Sequence, residues 1–346
     1  MFSSLISNEE VKETLRRALA VDRLSSSLVF TGDEGVGKKL FALEIAKALN
    51  CRNRQGVEAC DDCPSCRRIS RSTFPPFGKD EDDKNRMIWS EHGDIAMVRP
   101  YKQIIRVGPI RELEREANYR PFEGAARVFI IESAEYMNEP ASNALLKTLE
   151  EPEPTSHLIL TTANPTALLA TIRSRCQIIR FAPIPAREIE TFLRAEHDIP
   201  VADAVLLARV SRGSLGRALA TDIETYREWR TSMLTLLRTI TIDRDGARLL
   251  RAAEELASSA DRDEYEQQLD ILESLIRDAW ALQLGRPVET ITNYDLADGL
   301  QQVADQMKGE QAESWFTQIE DLRGALEVNI NRRIASDALL VGMAAG

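Results

Sequence analysis

Long apolar runs are missing from this sequence of 346 residues. None approaches the ~20 consecutive apolar residues that a membrane-spanning helix needs, so no membrane span is expected. The first six residues also lack a basic segment followed by an apolar core, which is the pattern of a secretory signal peptide. The sequence therefore predicts a cytoplasmic protein, a compartment in which thiols stay reduced.

Positive charge is also scarce. The chain has 55 acidic and 44 basic side chains, which gives a formal net charge of −11. Proteins that bind duplex DNA neutralise its phosphates with clustered Lys and Arg. The charge balance therefore argues against a protein that coats DNA by itself, although it does not exclude local basic surfaces.

The apolar content, 43%, is sufficient for buried cores in two or three domains. In the N-terminal half, short apolar runs typical of buried strands alternate with helical patterns. This alternation predicts an α/β fold with a parallel sheet and helices on both faces. The predicted strands are 27–30, 95–98, 127–131, 157–160 and 177–181, and the predicted helices are 8–21, 38–50, 110–118 and 141–149.

Strand signals nearly stop after Pro183 and Pro185. We therefore predict a sheet domain at 1–183, a small helical domain at 184–222 and a second helical domain at 223–346. The second helical domain carries an apolar helix face at helical spacing, formed by Leu272, Leu275, Ile276 and Ala279.

A glycine-rich loop follows the first predicted strand. Residues 32–39 match the phosphate-loop pattern G-x-x-x-x-G-K-[ST] except at the last position. Gly32, Gly35 and Gly37 allow backbone N–H groups to turn toward an anion. The helix that follows adds its dipole, and Lys38 can reach a phosphate. Lys39 stands where a hydroxyl would hold Mg²⁺, and it supplies a positive charge but no oxygen ligand.

The strand at 127–131 leads into Glu132, Ser133, Ala134 and Glu135. A phosphate-loop ATPase carries an acidic pair at such a place, where one carboxylate helps to hold Mg²⁺ and the next orients the attacking water. Glu132 is one methylene longer than the usual aspartate, and Ser133 is a poor base. Together with Lys39, these replacements predict that the chain hydrolyses ATP poorly or not at all.

Four of the five cysteines are grouped directly after the phosphate-loop helix, in the pattern C-x8-C-x2-C-x2-C. Four thiolates satisfy Zn²⁺ as a closed structural site. Unligated thiols or a redox pair are the alternatives, and the count of four argues against both. We predict a zinc site at Cys51, Cys60, Cys63 and Cys66, within a module at 51–67, and a buried free thiol at Cys176.

The segment from 71 to 90 has a different character. It contains a proline-rich turn at 74–77 and a charge run at 79–84. Both features are typical of surface loops, so this segment is predicted to be an exposed, mobile loop.

Several further segments are specific enough to indicate a family. Together with the cysteine module, they resemble the clamp-loader branch of the AAA+ ATPases, and the module is similar to the zinc module of the bacterial loader subunits. The resemblance covers nearly the whole chain. Its carriers are Ser174-Arg175-Cys176, residues 143–152, residues 160–165, residues 213–219 and residues 329–333.

The resemblance implies a P-loop AAA+ sheet domain, a helical lid domain at 184–222 and a helical collar for oligomerisation at 223–346. It implies that Arg175 is an arginine finger, which projects into the ATP site of a neighbouring subunit. It also assigns a nucleotide-binding role, weakened or lost in this chain, to Gly32, Gly35, Gly37, Lys38, Lys39, Glu132, Thr162 and Arg217. Zinc is then the structural cofactor, and ATP or ADP binds weakly at most.

The altered catalytic positions resemble those of a stator-like subunit of the bacterial DNA polymerase III clamp loader. Implied partners are the gamma/tau motor subunits, delta, the sliding clamp and, through the complex, primer–template DNA. One alternative is an active ATPase motor of the same fold. Another is a nucleic-acid-binding protein built on the cysteine module, although the acidic balance and the scarcity of aromatic residues near the cysteines argue against base stacking there.

Overall fold

The computed structural model describes residues 1–71, 74, 86–243, 245–259, 262–326 and 331–345. These residues form two compact units, 1–220 and 221–346. The charge run at 79–84 and the first two residues of the predicted C-terminal motif, Asn329 and Ile330, lie outside the described residues. The three-domain division at 183 and 222 stays a prediction.

The first unit is built on one sheet. Its strands are β1 Ser27–Thr31, β2 Ile88–Trp89, β3 Ile95–Val98, β4 Arg127–Ile131, β5 Ser156–Thr162 and β6 Gln177–Arg180. Their order in space is β2-β3-β4-β5-β1-β6, and only the β2–β3 pair is antiparallel. The predicted parallel sheet is thus confirmed. Strand β2 was not predicted, because two residues give no periodic signal.

Helices cover both faces of this sheet, as predicted. Because successive side chains of a strand face opposite sides, Leu28 and Phe30 pack in the cluster that contains α2, whereas Val29 packs in the cluster that contains α4 and α5 on the opposite face. The helices of the unit are α1 Glu9–Ala20, α2 Lys38–Asn50, α3 Pro64–Ser70, α4 Val107–Ala117, α5 Glu139–Glu150, α6 Ala170–Arg173, α7 Ala186–His197, α8 Val201–Val210 and α9 Leu215–Ala220.

The described residues of the second unit form helices and connecting turns, with no strand among them. Its helices are α10 Ile223–Arg238, α11 Gly246–Ala257, α12 Arg262–Gln283, α13 Ala297–Gln306, α14 Gly309–Leu326 and α15 Arg332–Ala345. The predicted apolar face of α12 is fully buried. Two polar side chains in this core have partners: the indole N–H of Trp315 donates to the carbonyl of Met343 at 3.0 Å, and the hydroxyls of Tyr265 and Ser336 lie 2.7 Å apart.

Among the helices within the described ranges, none is both long enough and apolar enough to cross a bilayer.

Candidate functional site

The phosphate loop connects β1 to α2. Its three glycines have positive φ angles of 144° at Gly32, 76° at Gly35 and 98° at Gly37. L-residues with a side chain rarely adopt this backbone conformation, so the sequence had to place glycine there. The loop therefore has the curled shape that its sequence predicts, with the N-terminus of α2 at its end.

Lys38 is the most buried charged side chain of the loop, with 9% of its surface exposed. Its ammonium donates to the carbonyl oxygens of Gly32 at 2.5 Å and Asp33 at 2.7 Å. Burial lowers the pKa of Lys38, and nearby carboxylates, Glu135 foremost, oppose that shift. Lys38 thus links two carbonyl groups of the loop, and the carboxylates of the segment after β4 balance its charge.

Lys39 pairs directly with Glu132. Its Nζ lies 3.4 Å from Oε1 and 3.5 Å from Oε2 of that carboxylate. The same ammonium lies 5.7 Å from the ring centroid of Phe74, within range of a cation–π interaction. The structure therefore joins the two altered positions that sequence analysis connected only through their shared relation to Mg²⁺.

Ser133 and Thr162 form hydrogen bonds that fix the backbone next to the phosphate loop. Ser133 has a φ of 51°, and its N–H donates to Oγ1 of Thr161 at 3.2 Å. Thr162 is almost completely buried, and its carbonyl accepts the N–H of Gly32 at 3.3 Å. Its hydroxyl accepts the N–H of Asn164 at 3.0 Å. Thr162 therefore holds the end of β5 against the start of the phosphate loop.

Glu135 belongs to this site but was not among the predicted site residues. Its Oε1 accepts the N–H of Ala163 at 2.9 Å, which fixes the segment after β5. Its Oε2 is buried and has no hydrogen-bond partner among the described residues. The sequence could have indicated Glu135 as a site residue, because it lies three residues after Glu132, at the same end of the same strand.

The loop also packs against the segment that leads into α9. The N–H of Gly216 donates to the carbonyl of Gly35 at 3.0 Å. A Cβ added at Gly35 would lie 2.2 Å from Oγ of Ser214, and one added at Gly216 would lie 2.9 Å from Cα of Gly35. Arg217, the predicted lid arginine, follows directly, and its N–H donates to Oγ of Ser214 at 3.0 Å. Two backbones thus meet without intervening side chains.

Arg175 lies between α6 and β6, apart from the residues above along the chain. Its Nη2 is 2.6 Å from Oε1 of Glu150, the last residue of α5, and its Nη1 donates to the carbonyl of Thr171 at 3.0 Å. About a third of the side chain, 35%, is exposed. In the single chain, the guanidinium is therefore held at the end of α5 by one carboxylate and one carbonyl.

The four cysteines of the predicted zinc module come together. Their Sγ atoms all lie within 4.8 Å of one another. Zinc–sulfur bonds of ~2.3 Å in a tetrahedron place the sulfurs about 3.8 Å apart, so this set fits a zinc ion with only small adjustments. Backbone N–H groups of Cys60, Cys63 and Cys66 donate to Sγ of Cys51, Cys60 and Cys63, respectively.

Local structure explains this arrangement, and one part of it was not predicted. Cys51 follows the last residue of α2, and Cys63 caps the N-terminus of α3, with Pro64 in the first turn. The short helix α3 within this module is not among the helices that the sequence predicted. Proline is favoured in a first helical turn, because the N–H that it lacks would have no partner within the helix.

The thiols of the module differ in the direction in which their pKa is shifted. Burial raises the pKa of Cys66 and Cys51. Burial acts in the same direction at Cys63, but hydrogen bonds, foremost from the N–H of Cys66, outweigh it and lower the pKa of Cys63 to about 6. The fifth cysteine, Cys176, is a half-buried free thiol whose pKa burial raises to about 12.

The cysteine module is anchored to the rest of the first unit by polar contacts. Lys47 of α2 donates to Asp61 at 2.6 Å, and Arg16 of α1 donates to Glu58 at 2.6 Å. The buried hydroxyl of Ser65 lies 3.0 Å from Nε2 of His92. These contacts hold the module in place independently of the four sulfurs.

Comparisons with known proteins give a consistent result. A family model described as DNA polymerase III, delta subunit, matches residues 7–185, and a second, described as the C terminal of that subunit, matches residues 231–343. The delta prime subunit of DNA polymerase III from Bacillus subtilis is 27% identical over 321 residues, which are 93% of this chain and 91% of that protein.

Two Escherichia coli proteins match over shorter stretches. The delta prime subunit is 31% identical over 209 residues, which are 60% of this chain and 58% of that protein. The tau subunit is 30% identical over 224 residues, which are 63% of this chain and 32% of tau. The chain thus spans about a third of the length of tau.

Proposed function

Because the chain belongs to the DNA polymerase III delta subunit family, we propose that it is a non-motor subunit of the clamp loader. In this role it assembles in the cytoplasm with the gamma/tau motor subunits and delta. The assembly then loads the sliding clamp onto primer–template DNA during replication. The two family models that match along the chain support membership of such an assembly.

The observation that carries the non-motor role is the ion pair between Lys39 and Glu132. ATP hydrolysis in phosphate-loop enzymes depends on Mg²⁺ held by a hydroxyl and an aspartate, and on a group that positions water. Here an ammonium and a longer carboxylate pair with each other, and Ser133 follows them. The chain therefore contributes structure to the assembly and little or no hydrolysis of its own.

The contribution to catalysis is made through Arg175, acting on the ATP site of a neighbouring subunit. A guanidinium stays charged and presents a rigid fork that matches phosphate oxygens. Its partial exposure supports this role, and its present partner, Glu150, offers the same kind of oxygen that a phosphate would. Assembly would exchange the carboxylate for a phosphoryl group, whose developing charge the arginine stabilises.

Clamp loading by the reconstituted assembly tests the proposal. Replacing the wild-type chain by Arg175→Ala should leave the assembly intact and reduce ATP hydrolysis at the neighbouring site that Arg175 faces by roughly 10³-fold. The total ATPase rate of the assembly should fall less, because the other motor sites continue to hydrolyse ATP. Arg175→Lys should not restore it, because ammonium lacks the planar fork. Glu150→Gln, which removes the partner and keeps the arginine, is the matched control and should retain activity.

Two outcomes would contradict the proposal separately. Full clamp loading without this chain would remove its role in the assembly. Wild-type hydrolysis with fully assembled Arg175→Ala would show that Arg175 serves only to join α5 to the segment before β6.

A further inference from the structure

The ion pair between α2 and the end of β4 engages both oxygens of the carboxylate. Nζ of Lys39 is almost equidistant from the two oxygens of Glu132, at 3.4 and 3.5 Å. The ammonium thus faces the carboxylate head-on, as a bound cation would. Lys39 lies in the first turn of α2, at the end of the phosphate loop.

A second contact stabilises the positive charge at this point. The Phe74 ring lies 5.7 Å from the same Nζ, and an aromatic face attracts a cation through its quadrupole. The neighbouring Lys38 is engaged elsewhere, with the carbonyls of Gly32 and Asp33. The charge beside Glu132 therefore belongs to Lys39.

The residues present do not fit Mg²⁺. That ion requires oxygen ligands at ~2.0–2.1 Å in near-octahedral geometry. Lys39 provides no oxygen, and both oxygens of Glu132 face an ammonium. The ammonium of Lys39 would also repel a divalent cation that entered here.

We propose that Lys39 serves as an internal cation in the position of Mg²⁺, so that the phosphate loop excludes divalent metal and keeps its closed shape without it. This inference rests on the proposed non-motor role and deepens it, because it states what the phosphate loop of the single chain binds. The ion pair of Lys39 and Glu132 thus takes the place of a metal ion and its two protein ligands. Its positive charge comes from a side chain of the protein itself.

Manganese titration of the zinc-loaded full chain in the presence of ADP tests this inference. Mn²⁺ is a paramagnetic substitute for Mg²⁺. Its free fraction is measured by electron paramagnetic resonance and compared with a protein-free solution of the same ADP concentration, because ADP itself binds Mn²⁺. Thiolates favour softer metals, so the cysteine module should not take it. The wild-type chain should bind no Mn²⁺ at the loop. Lys39→Thr should bind one ion, because a hydroxyl then faces a released carboxylate.

Thermal unfolding gives a second readout that does not depend on the spin signal. A ligand that binds only the folded state raises the Tm. Mg²⁺ with ADP should raise the Tm of Lys39→Thr and leave that of the wild type unchanged. The double variant Lys39→Thr, Glu132→Gln should lose both the bound Mn²⁺ and the Tm increase.

Two results would overturn the inference. One is stoichiometric Mn²⁺ on the wild-type chain that disappears in Glu132→Gln. The other is a Lys39→Thr chain that also binds no Mn²⁺, which would mean that Lys39 is not what excludes the metal. Neither result depends on clamp loading, so failure here is distinguishable from failure of the proposed loader role.

Discussion

Helix α2 has a candidate binding site at each end, and the two sites differ in what they have kept. At its N-terminus, the phosphate loop keeps its backbone shape, with three glycines at positive φ, but Lys39 and Glu132 stand at the positions that hold Mg²⁺ in phosphate-loop ATPases. At its C-terminus, the cysteine module keeps all four ligands within reach of one metal. Backbone form and side-chain chemistry are therefore separable in this chain.

A packing contact explains why the loop keeps glycine at position 35, whether or not the loop binds a metal. A Cβ at Gly35 would collide with Oγ of Ser214, at 2.2 Å, and would lie in tight contact with Cα of Gly216, at 3.2 Å. This requirement exists with or without a nucleotide. Glycines in a phosphate-loop pattern are thus evidence for a shape, and only the side chains beside them are evidence for chemistry.

The largest effect is expected from breaking the complete site. Cys63→Ser should reduce zinc from one ion per chain to nearly none after dialysis, because a closed structural site needs all four ligands. The sheet should stay folded, since polar contacts such as Lys47–Asp61 hold the module independently. Elemental analysis and circular dichroism are the measurements.

Thiol labelling provides the control for that experiment. After chelation, Cys63, whose pKa is lowered to about 6, should react with iodoacetamide, whereas Cys176 should react slowly, because burial raises its pKa to about 12. Wild-type protein that contains no zinc, or whose labelling does not change on chelation, would contradict the metal site.

A smaller effect is expected from disturbing the shape of the loop. Gly35→Ala should lower the free energy of unfolding by about 3 kcal/mol, from strain at positive φ and from the collision with Ser214. Gly37→Ala is the matched control: its φ is also positive, but a Cβ there meets nothing within 4 Å. It should cost only about 1 kcal/mol.

Urea denaturation of the full chain compares the two glycine variants. Equal losses of unfolding free energy would show that strain alone matters and that the contact with Gly216 contributes little.

The smallest effect is expected from restoring a single ligand. Lys39→Thr returns a hydroxyl to the loop, yet ATP turnover by the isolated chain should stay undetectable, because Ser133 still cannot position water. A steady-state phosphate-release assay with and without Mg²⁺ measures this. Magnesium-dependent turnover near one per second, within the ordinary range of enzymes, would mean that the acidic segment is functional as it stands.

Much of the fold could be predicted because its signals are local. Helix α2 was predicted with the bounds 38–50, and strand 127–131 likewise, since buried strands read as apolar runs bounded by turns. Helix α3 was missed because its seven residues are too few for periodicity. Its signal was a capping residue, Cys63, followed by Pro64.

The parts of the site that could not be predicted involve residues far apart in sequence. Nothing in a single sequence connects Gly35 with Gly216, or Arg175 with Glu150, because those contacts follow from how the elements pack. The sequence shows Lys39 and Glu132 as altered positions, but only the structure brings the two together. Composition and spacing thus predict the chemical types at a site more readily than their pairing.

Helix α2 also sets a fixed distance between the phosphate loop and the cysteine module. Its 13 residues, at ~1.5 Å each, set a length of about 20 Å between its two ends. Cobalt(II) substituted for zinc among the four thiolates would absorb visible light at a fixed reference point. Energy transfer to it from a fluorophore at the exposed position 34 would then report any shift of the phosphate loop during assembly, with no label on a neighbouring subunit.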